Sequence, residues 1–185
     1  MKMLYIIRHG LTDWNTKHKL QGQTDVPLND EGRAMAREAH EEYMDVHFDV
    51  CFCSPLIRAR ETAGILLEGR DIPVYFDDRI KEMSFGSYEG IENSFDIPDC
   101  PINKFFFDPA GYTDPPGGAE SLDDLFHRTG EFLEEKVYPL LDEGKDVLIV
   151  GHGAMNSSIV CRIKNRDRAD FWKEGIPNCK LQRLI

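Results

Sequence analysis

The sequence predicts an α/β fold, a three-layer α/β/α sandwich built around a mostly parallel central sheet. Short apolar segments alternate with longer helical segments in the order β-α-β-α-β-α-β-α-β, which is typical of a parallel sheet with helices on both faces. The clearest strand segment, residues 147–150, is apolar throughout, as expected for a strand buried on both faces. Ligand sites in such sheets lie beyond the carboxyl ends of the strands, so the residues that follow each strand are the candidates for function.

Short segments rich in apolar residues predict the strands. They cover residues 3–7, 48–53, 72–76, 147–150 and 180–185. Pro73 lies near the start of the third segment and suits an edge strand, because proline cannot donate a hydrogen bond to a neighbouring strand.

Two helices are expected in the first half of the chain. The first begins at Asn29 or Asp30, either of which can cap it, and continues to about Met44 through an alanine- and glutamate-rich segment. The second is expected to begin at Ser54-Pro55, since serine is a good N-cap and proline suits the first helical position.

Residues 84–120 differ in character, because glycine, proline, aspartate and aromatic residues dominate. We expect a long, irregular, lid-like insertion with one short helix near residues 102–107, since long loops in compact domains often serve as lids or binding loops. A helix follows from Ser121 to about Leu141, and another follows the fourth strand to Ile163. A short helix is expected near residues 169–172. No linker divides the chain, so residues 1–185 are expected to form a single domain.

Composition and charge exclude several classes of protein. The 185 residues carry a net charge of -11, which argues against nucleic acid as a partner because such binding depends on basic patches. The five scattered cysteines do not suggest a disulfide framework. No apolar stretch is long enough for a membrane helix or a signal peptide, so no membrane partner and a cytoplasmic location are expected. The oligomeric state, monomer or homodimer, stays open.

Charged and histidine side chains follow four of the predicted strands. The four segments are Arg8-His9-Gly10, Ser54 to Arg58, Lys81-Glu82 and Gly151-His152-Gly153. Because the carboxyl ends of parallel strands share one edge of the sheet, we expect these side chains to meet in one crevice.

These segments belong to an ordered series of motifs that resembles the histidine phosphatase superfamily, also called phosphoglycerate mutase-like. The series covers nearly the whole chain. It comprises Arg8-His9-Gly10 with Thr12, Trp14 and Asn15; Leu20-Gln21-Gly22; Asp25, Leu28 and Gly32; Ser54-Pro55-Leu56 with Arg58, Ala59, Thr62 and Ala63; Glu82, Phe85, Gly86, Glu89 and Gly90; Pro116-Gly117-Gly118 with Glu120 and Ser121; and Val150-Gly151-His152-Gly153. The resemblance implies the phosphoglycerate mutase-like fold.

The resemblance also implies roles that agree with the chemistry of the residues. His9 is the nucleophile, because imidazole is unprotonated near neutral pH and neighbouring guanidinium groups favour its neutral form. Arg8 and Arg58 grip phosphoryl oxygens. His152 donates a hydrogen bond to a phosphoryl oxygen, and Glu82 is the general acid that later activates water.

Looser assignments concern secondary contacts and cofactors. By resemblance, Asn15, Gln21 and Gly153 belong to the phosphate-binding set. No metal or other cofactor is expected, since arginines and histidines supply the positive groups that magnesium supplies in nucleotide hydrolases. Glu120 follows Gly117-Gly118-Ala119, a loop one residue longer than the family's usual pattern, and this departure leaves its contact open.

A phosphatase acting on a small phosphorylated metabolite is the favoured function. The segment Phe85 to Gly90 resembles that of the small phosphatases, and residues 84–120 contain a single basic residue, Lys104, whereas mutases carry more. A phosphoglycerate-type mutase and a non-catalytic binding protein on the same fold are the alternatives. The aromatic residues of the insertion, Phe105 to Phe107 above all, either line the mouth of the site or pack the insertion onto the domain.

Overall fold

A computed structural model describes residues 2–185; residue 1, at which the expected domain begins, lies outside them. Its strands form one sheet in the order β3-β2-β4-β1-β5. The strands are β1 (Leu4–Arg8), β2 (Val50–Cys53), β3 (Val74–Phe76), β4 (Val147–Gly151) and β5 (Leu181–Arg183). The first four run parallel, and β5 joins β1 antiparallel at one edge. The predicted α/β class with a mostly parallel sheet is therefore confirmed.

Helices cover both faces of this sheet. They are α1 (Asp13–Thr16), α2 (Asp30–Glu42), α3 (Ile57–Leu66), α4 (Lys104–Phe107), α5 (Leu122–Phe132), α6 (Tyr138–Asp142) and α7 (Gly153–Ile163). One apolar core joins α2 and α3 to alternate strand residues, and the other joins α5 to α7 to the remaining ones. Every residue of β4 is buried, because the strand lies at the centre of both cores. None of the helices within residues 2–185 has the length and apolarity needed to cross a membrane.

The expected start of α3, with Ser54 as N-cap and Pro55 as the first helical residue, is wrong by two residues. The helix begins at Ile57, whose amide donates to the carboxylate of Asp25 at 2.7 Å, so the cap comes from a distant loop. The Ser54 hydroxyl lies instead 2.7 Å from Nε2 of His152. By contrast, Asn29 caps α2 as predicted, accepting a hydrogen bond from the amide of Gly32 at 2.8 Å.

The helix expected from Ser121 to Leu141 is present but interrupted. A wider π-helical turn, Leu133–Val137, separates α5 from α6, and Pro139 lies just beyond it, where its missing N–H cannot continue a regular ladder. The helix expected near residues 169–172 is a single 3₁₀ turn, Arg168–Asp170.

Residues 84–120 form a series of 3₁₀ turns around the short helix α4. Ile102, Phe105 and Tyr112 are buried and extend the core on the α5–α7 side of the sheet. The strand β3 is a free edge of the sheet, and its three side chains are all exposed.

All five cysteines are buried and unpaired. Burial raises the pKa of the Cys51 thiol to about 12, and it raises that of Cys179 to about 12 as well. Both thiols are therefore protonated near neutral pH.

Gly32 permits a close approach between α2 and the loop that follows the first strand. A Cβ at this position would lie 2.0 Å from the carbonyl oxygen of Leu11 and 2.6 Å from its amide nitrogen. Both are backbone atoms, so the loop beyond His9 would have to move.

We expect Gly32→Ala to lower the free energy of unfolding by about 1–3 kcal/mol, measured by urea denaturation, because overpacking against backbone is costly. The matched control is Gly64→Ala in α3, where a Cβ meets nothing within 4 Å. This control should leave stability unchanged or raise it by up to about 1 kcal/mol, since alanine favours helix over glycine. Equal stability of the two variants would contradict the close-contact explanation.

Candidate active site

A cleft of about 210 Å³ opens at the carboxyl ends of β1 and β4. Its lining includes the following predicted site residues: Arg8, His9, Asn15, Gln21, Arg58, Glu82 and Gly153. His152 lies behind this lining and is fully buried, with its ring centroid 5.1 Å from that of His9. The structure thus brings all the predicted site residues together.

His9 is buried at the end of β1 and held on both sides of its backbone. Its amide donates to the carbonyl of Gly151 at 3.0 Å, and the side-chain amide of Asn178 donates to its carbonyl at 2.6 Å. The Nδ1 atom lies 2.6 Å from the carbonyl oxygen of Gly10, which can only accept, so Nδ1 carries the proton. Nε2 then keeps its lone pair and accepts from Nε of Arg58 at 3.3 Å.

The charge state of His9 follows from its surroundings. Burial lowers the pKa of His9 well below its usual value, and the charges of Arg58 and Arg8 lower it further. The imidazole is therefore neutral near pH 7, with a nucleophilic nitrogen beside a guanidinium group.

Arg58 is buried near the start of α3 and is positioned by a neighbouring turn. Its two Nη atoms donate to the carbonyls of Gly22 at 2.6 Å and Thr24 at 2.9 Å. The carboxylate of Glu89 holds this turn, accepting from the amides of Gln23 at 2.9 Å and Thr24 at 2.8 Å. Burial lowers the pKa of Arg58 to about 10, so the side chain stays charged at neutral pH.

Arg8 and His152 present buried nitrogen atoms that lack partners among residues 2–185. These atoms are Nε of Arg8 and Nδ1 of His152. The Ser54 hydroxyl accepts from the Leu56 amide at 3.3 Å and can donate its own proton to Nε2 of His152, which lies 2.7 Å away. Nδ1 of His152 is then an N–H donor, as Nε of Arg8 always is. Buried unpaired donors are costly, and an anion in the cleft would satisfy both.

Glu82 lies against the amino terminus of α7. Its carboxylate accepts from the amides of Met83 at 2.9 Å, Met155 at 3.0 Å and Ala154 at 3.2 Å. These bonds hold the carboxylate at the wall of the cleft, where the residue is 8% exposed.

Asn15 and Gln21 are joined through Thr12. The Thr12 hydroxyl donates to Oε1 of Gln21 at 2.9 Å, and its amide donates to Oδ1 of Asn15 at 3.1 Å. Because both amide oxygens are engaged, the NH₂ groups are the ends left for an anion. Thr12 and Asn15 also cap α1, a short helix that the sequence did not predict.

The two alternatives for the aromatic residues of the insertion divide by residue. Phe105 and Tyr112 are buried and pack the insertion onto the core. Phe106 lines the cleft, where it stacks on Trp172 with ring centroids 5.7 Å apart. Phe107 is 72% exposed and does not line the cleft.

Several contributors to the site were not predicted from the sequence. Ser54 was expected only to cap a helix, and Asn178 and Arg128 were not singled out. Their contacts are long-range hydrogen bonds, so no local spacing signals them. Arg128 does carry a weak signal, because a charged residue lies beside the apolar stripe of Leu125 and Phe132 on α5.

One group of side chains within residues 2–185 is close enough to share a metal ion. It consists of His47, Asp49 and Asp146, at the amino ends of β2 and β4. This is the edge of the sheet opposite the cleft.

The family model described as the histidine phosphatase superfamily (branch 1) matches residues 4–185. A 2,3-bisphosphoglycerate-dependent phosphoglycerate mutase 2 from Gloeobacter violaceus is 34% identical over 97% of this chain and 83% of its own length. An uncharacterized phosphatase PhoE from Bacillus subtilis is also 34% identical, over 90% of this chain and 80% of its own.

Solved structures agree with this relationship. YhfR from Bacillus stearothermophilus superposes with a TM-score of 0.87 at 30% identity, covering 99% of this chain and 90% of its own. A phosphoserine phosphatase from Entamoeba histolytica, solved with 3-phosphoglyceric acid, gives a TM-score of 0.83 at 27% identity, covering 99% and 90%.

We expect the His9 imidazole to stay neutral over roughly pH 5.5–7.5, whereas an unperturbed histidine titrates near 6.5. In NMR spectra, the imidazole C–H resonance that disappears in His9→Asn should not shift over this range. In the unfolded chain His9 binds a proton below about pH 6.5, whereas in the native state it does not. The free energy of unfolding should therefore also fall as pH drops below about 6.5. A midpoint near 6.5 for that resonance would contradict the neutral, buried imidazole.

Proposed function

We propose that this chain, which belongs to the histidine phosphatase superfamily, hydrolyses small phosphate monoesters through a phosphohistidine on His9 and needs no metal. The observation that carries the proposal is the neutral, buried His9 whose Nε2 lone pair lies beside the guanidinium of Arg58. A nucleophile among fixed cations is what attack on a dianionic phosphoryl group requires.

In the first half-reaction, Nε2 of His9 attacks phosphorus while the bond to the ester oxygen breaks. Arg8, Arg58 and the Nδ1 donor of His152 take the charge on the phosphoryl oxygens, which is the main task in phosphoryl transfer. Glu82 gives its proton to the departing alkoxide, which leaves as the alcohol.

In the second half-reaction, Glu82 takes a proton from water. The resulting hydroxide attacks phosphorus, the N–P bond breaks, and inorganic phosphate leaves. The two electrons of the broken N–P bond return to Nε2 of His9, and the neutral imidazole is restored.

The lining of the cleft favours a hydrolase over a mutase. A mutase binds a second anionic group of its substrate. Among the described residues of the lining, Lys19 is the one cation besides Arg8 and Arg58, and it also lies 3.7 Å from the carboxylate of Glu92. The mutase stays the second candidate, because several relatives carry that name.

Hydrolysis of 4-nitrophenyl phosphate in the presence of EDTA tests the proposal. We expect turnover that falls by more than about 10³-fold in His9→Ala, because removal of a nucleophile abolishes the covalent route. Phosphate-labelled protein should be trapped by an alkaline quench in the wild type alone. The exposed histidine variant His47→Ala is the control and should keep full activity.

Three outcomes would contradict it. Loss of turnover with EDTA would indicate a metal enzyme, and an active His9→Ala would exclude the phosphohistidine. Production of 2-phosphoglycerate from 3-phosphoglycerate, dependent on added bisphosphate and without release of phosphate, would support the mutase instead.

We also propose that Phe106 contacts the body of the substrate. It lines both the cleft and an adjoining cavity of about 390 Å³, which Phe95 also lines. The insertion therefore supplies an apolar wall beyond the phosphate position, which suits an ester with an apolar or aromatic body.

Phe106→Ala should raise KM for 1-naphthyl phosphate by roughly 5- to 30-fold, because about 1–2 kcal/mol of apolar contact is lost. The KM for glycerol phosphate should change by less than about twofold, since that small polar body makes little apolar contact. Steady-state kinetics with both esters measure this difference. Phe107→Ala, one residue away and outside the cleft, is the matched control, and an equal effect of both variants would exclude the contact.

A further inference from the structure

We propose that Arg128, held by Glu120, positions Glu82 for proton transfer to the leaving group. This inference rests on the proposed function. Arg128 belongs to α5 and is a positioning residue, since it contacts the backbone that carries the acid.

Arg128 donates hydrogen bonds from all three of its guanidinium nitrogens. Nη1 donates to the carbonyls of Arg79 at 2.5 Å and Lys81 at 2.8 Å. Nη2 donates to the carbonyl of Glu82 at 3.1 Å. The remaining donors, Nε and the second N–H of Nη2, meet the two carboxylate oxygens of Glu120 at 2.5 and 2.9 Å. One side chain therefore grips three carbonyls within four residues of the chain.

Glu120 fixes the same segment on the far side of Glu82. Its carboxylate accepts from the amide of Ser84 at 3.1 Å, and its own amide donates to the carbonyl of Ser84 at 2.8 Å. The backbone is thus held on both sides of the acid. The sequence had left the contact of Glu120 open, because the loop before it is one residue longer than the family's usual pattern. The structure shows the additional residue, Ala119, buried in the core.

The segment depends on these bonds because no regular element contains Glu82. It lies between a 3₁₀ turn that ends at Ile80 and another that begins at Gly86. No strand or helix fixes the carbonyls of Lys81 and Glu82, so Arg128 and the side chain of Gln23, which donates to the Glu82 carbonyl at 3.1 Å, take that role.

The ion pair is suited to holding a fixed geometry. The side chains of Arg128 and Glu120 are 17% and 12% exposed, and the pairing is bidentate. Planar two-point pairing fixes orientation as well as distance. A displacement of about 1 Å in a reacting group can cost roughly 100-fold in rate, so a brace on the acid has a kinetic consequence.

The test compares kcat/KM for two esters that differ in their need for an acid. This parameter covers the steps up to transfer of the phosphoryl group to His9. 4-Nitrophenolate leaves readily without a proton, whereas the alkoxide of glycerol phosphate needs one. Loss of a positioned acid therefore slows the alkyl ester selectively.

We expect Arg128→Met to lower kcat/KM for glycerol phosphate by roughly 10- to 100-fold and to change that for 4-nitrophenyl phosphate by less than about threefold. Arg128→Lys, which keeps the charge but cannot make the same bonds, should show the same selective loss in weaker form. Glu82→Gln removes the acid itself, so its fall in kcat/KM for glycerol phosphate relative to 4-nitrophenyl phosphate is the largest that loss of the acid can cause. Arg162→Met is the control. Arg162 lies in α7, donates to the carbonyl of Phe126 in α5, the helix that carries Arg128, and pairs with Glu134. This control variant should leave both rates unchanged.

An equal fall for both esters, or no change in either, would overturn the role of Arg128. If Arg128→Met does not fold because Glu120 is left unpaired, the double variant Arg128→Met with Glu120→Gln leaves no unpaired charge and carries the same expectation. Failure of the wild type to hydrolyse either ester would instead overturn the proposed function, and the role of Arg128 with it. An active wild type with an unchanged ester preference in the variants would overturn only the role of Arg128.

Discussion

The burial of the Arg58 guanidinium beside His9 is the constraint on which the rest of the site depends. A buried charge needs partners, and here they are backbone carbonyls of the turn at Gly22 and Thr24 together with the lone pair of His9. This turn is held by Glu89, whose carboxylate accepts from the amides of Gln23 and Thr24. Burial does most to keep the imidazole neutral, and the charge of Arg58 adds to it, so one buried cation both shapes the loops and favours the neutral form of the nucleophile.

The predictable part of this molecule follows from strand ends, and the unpredictable part from long-range hydrogen bonds. Arg8, His9 and His152 follow apolar segments directly, so parallel strands were sufficient to bring them together. Ser54 illustrates the limit. Its sequence context favours a helix cap, yet its hydroxyl serves His152, and the amide of Ile57 finds Asp25 instead. The role of Arg128 could not be predicted either, because its acceptors are carbonyls in a segment without regular structure.

The cleft has two parts, one formed by strand ends and one formed by residues outside the sheet, so related proteins with different names can share one core. Arg8, His9 and His152 come from the ends of β1 and β4, which belong to the common fold. The walls of the cleft away from these strand ends come from Phe106 and Trp172, outside the strands. Changes in these walls alter the shape of the cleft and leave the strand ends in place, since β4 is buried along its whole length.

Because every cysteine is buried, the native thiols of this protein should react slowly with thiol-labelling reagents. A thiol that is protonated and shielded from solvent reacts slowly with maleimides and iodoacetamides, because the thiolate is the reactive species. A single cysteine introduced at an exposed position such as Phe107 would then be the dominant site for attaching a fluorophore or a spin label. The insertion beside the cleft could be followed spectroscopically in an otherwise native chain, with no cysteine removed from the core.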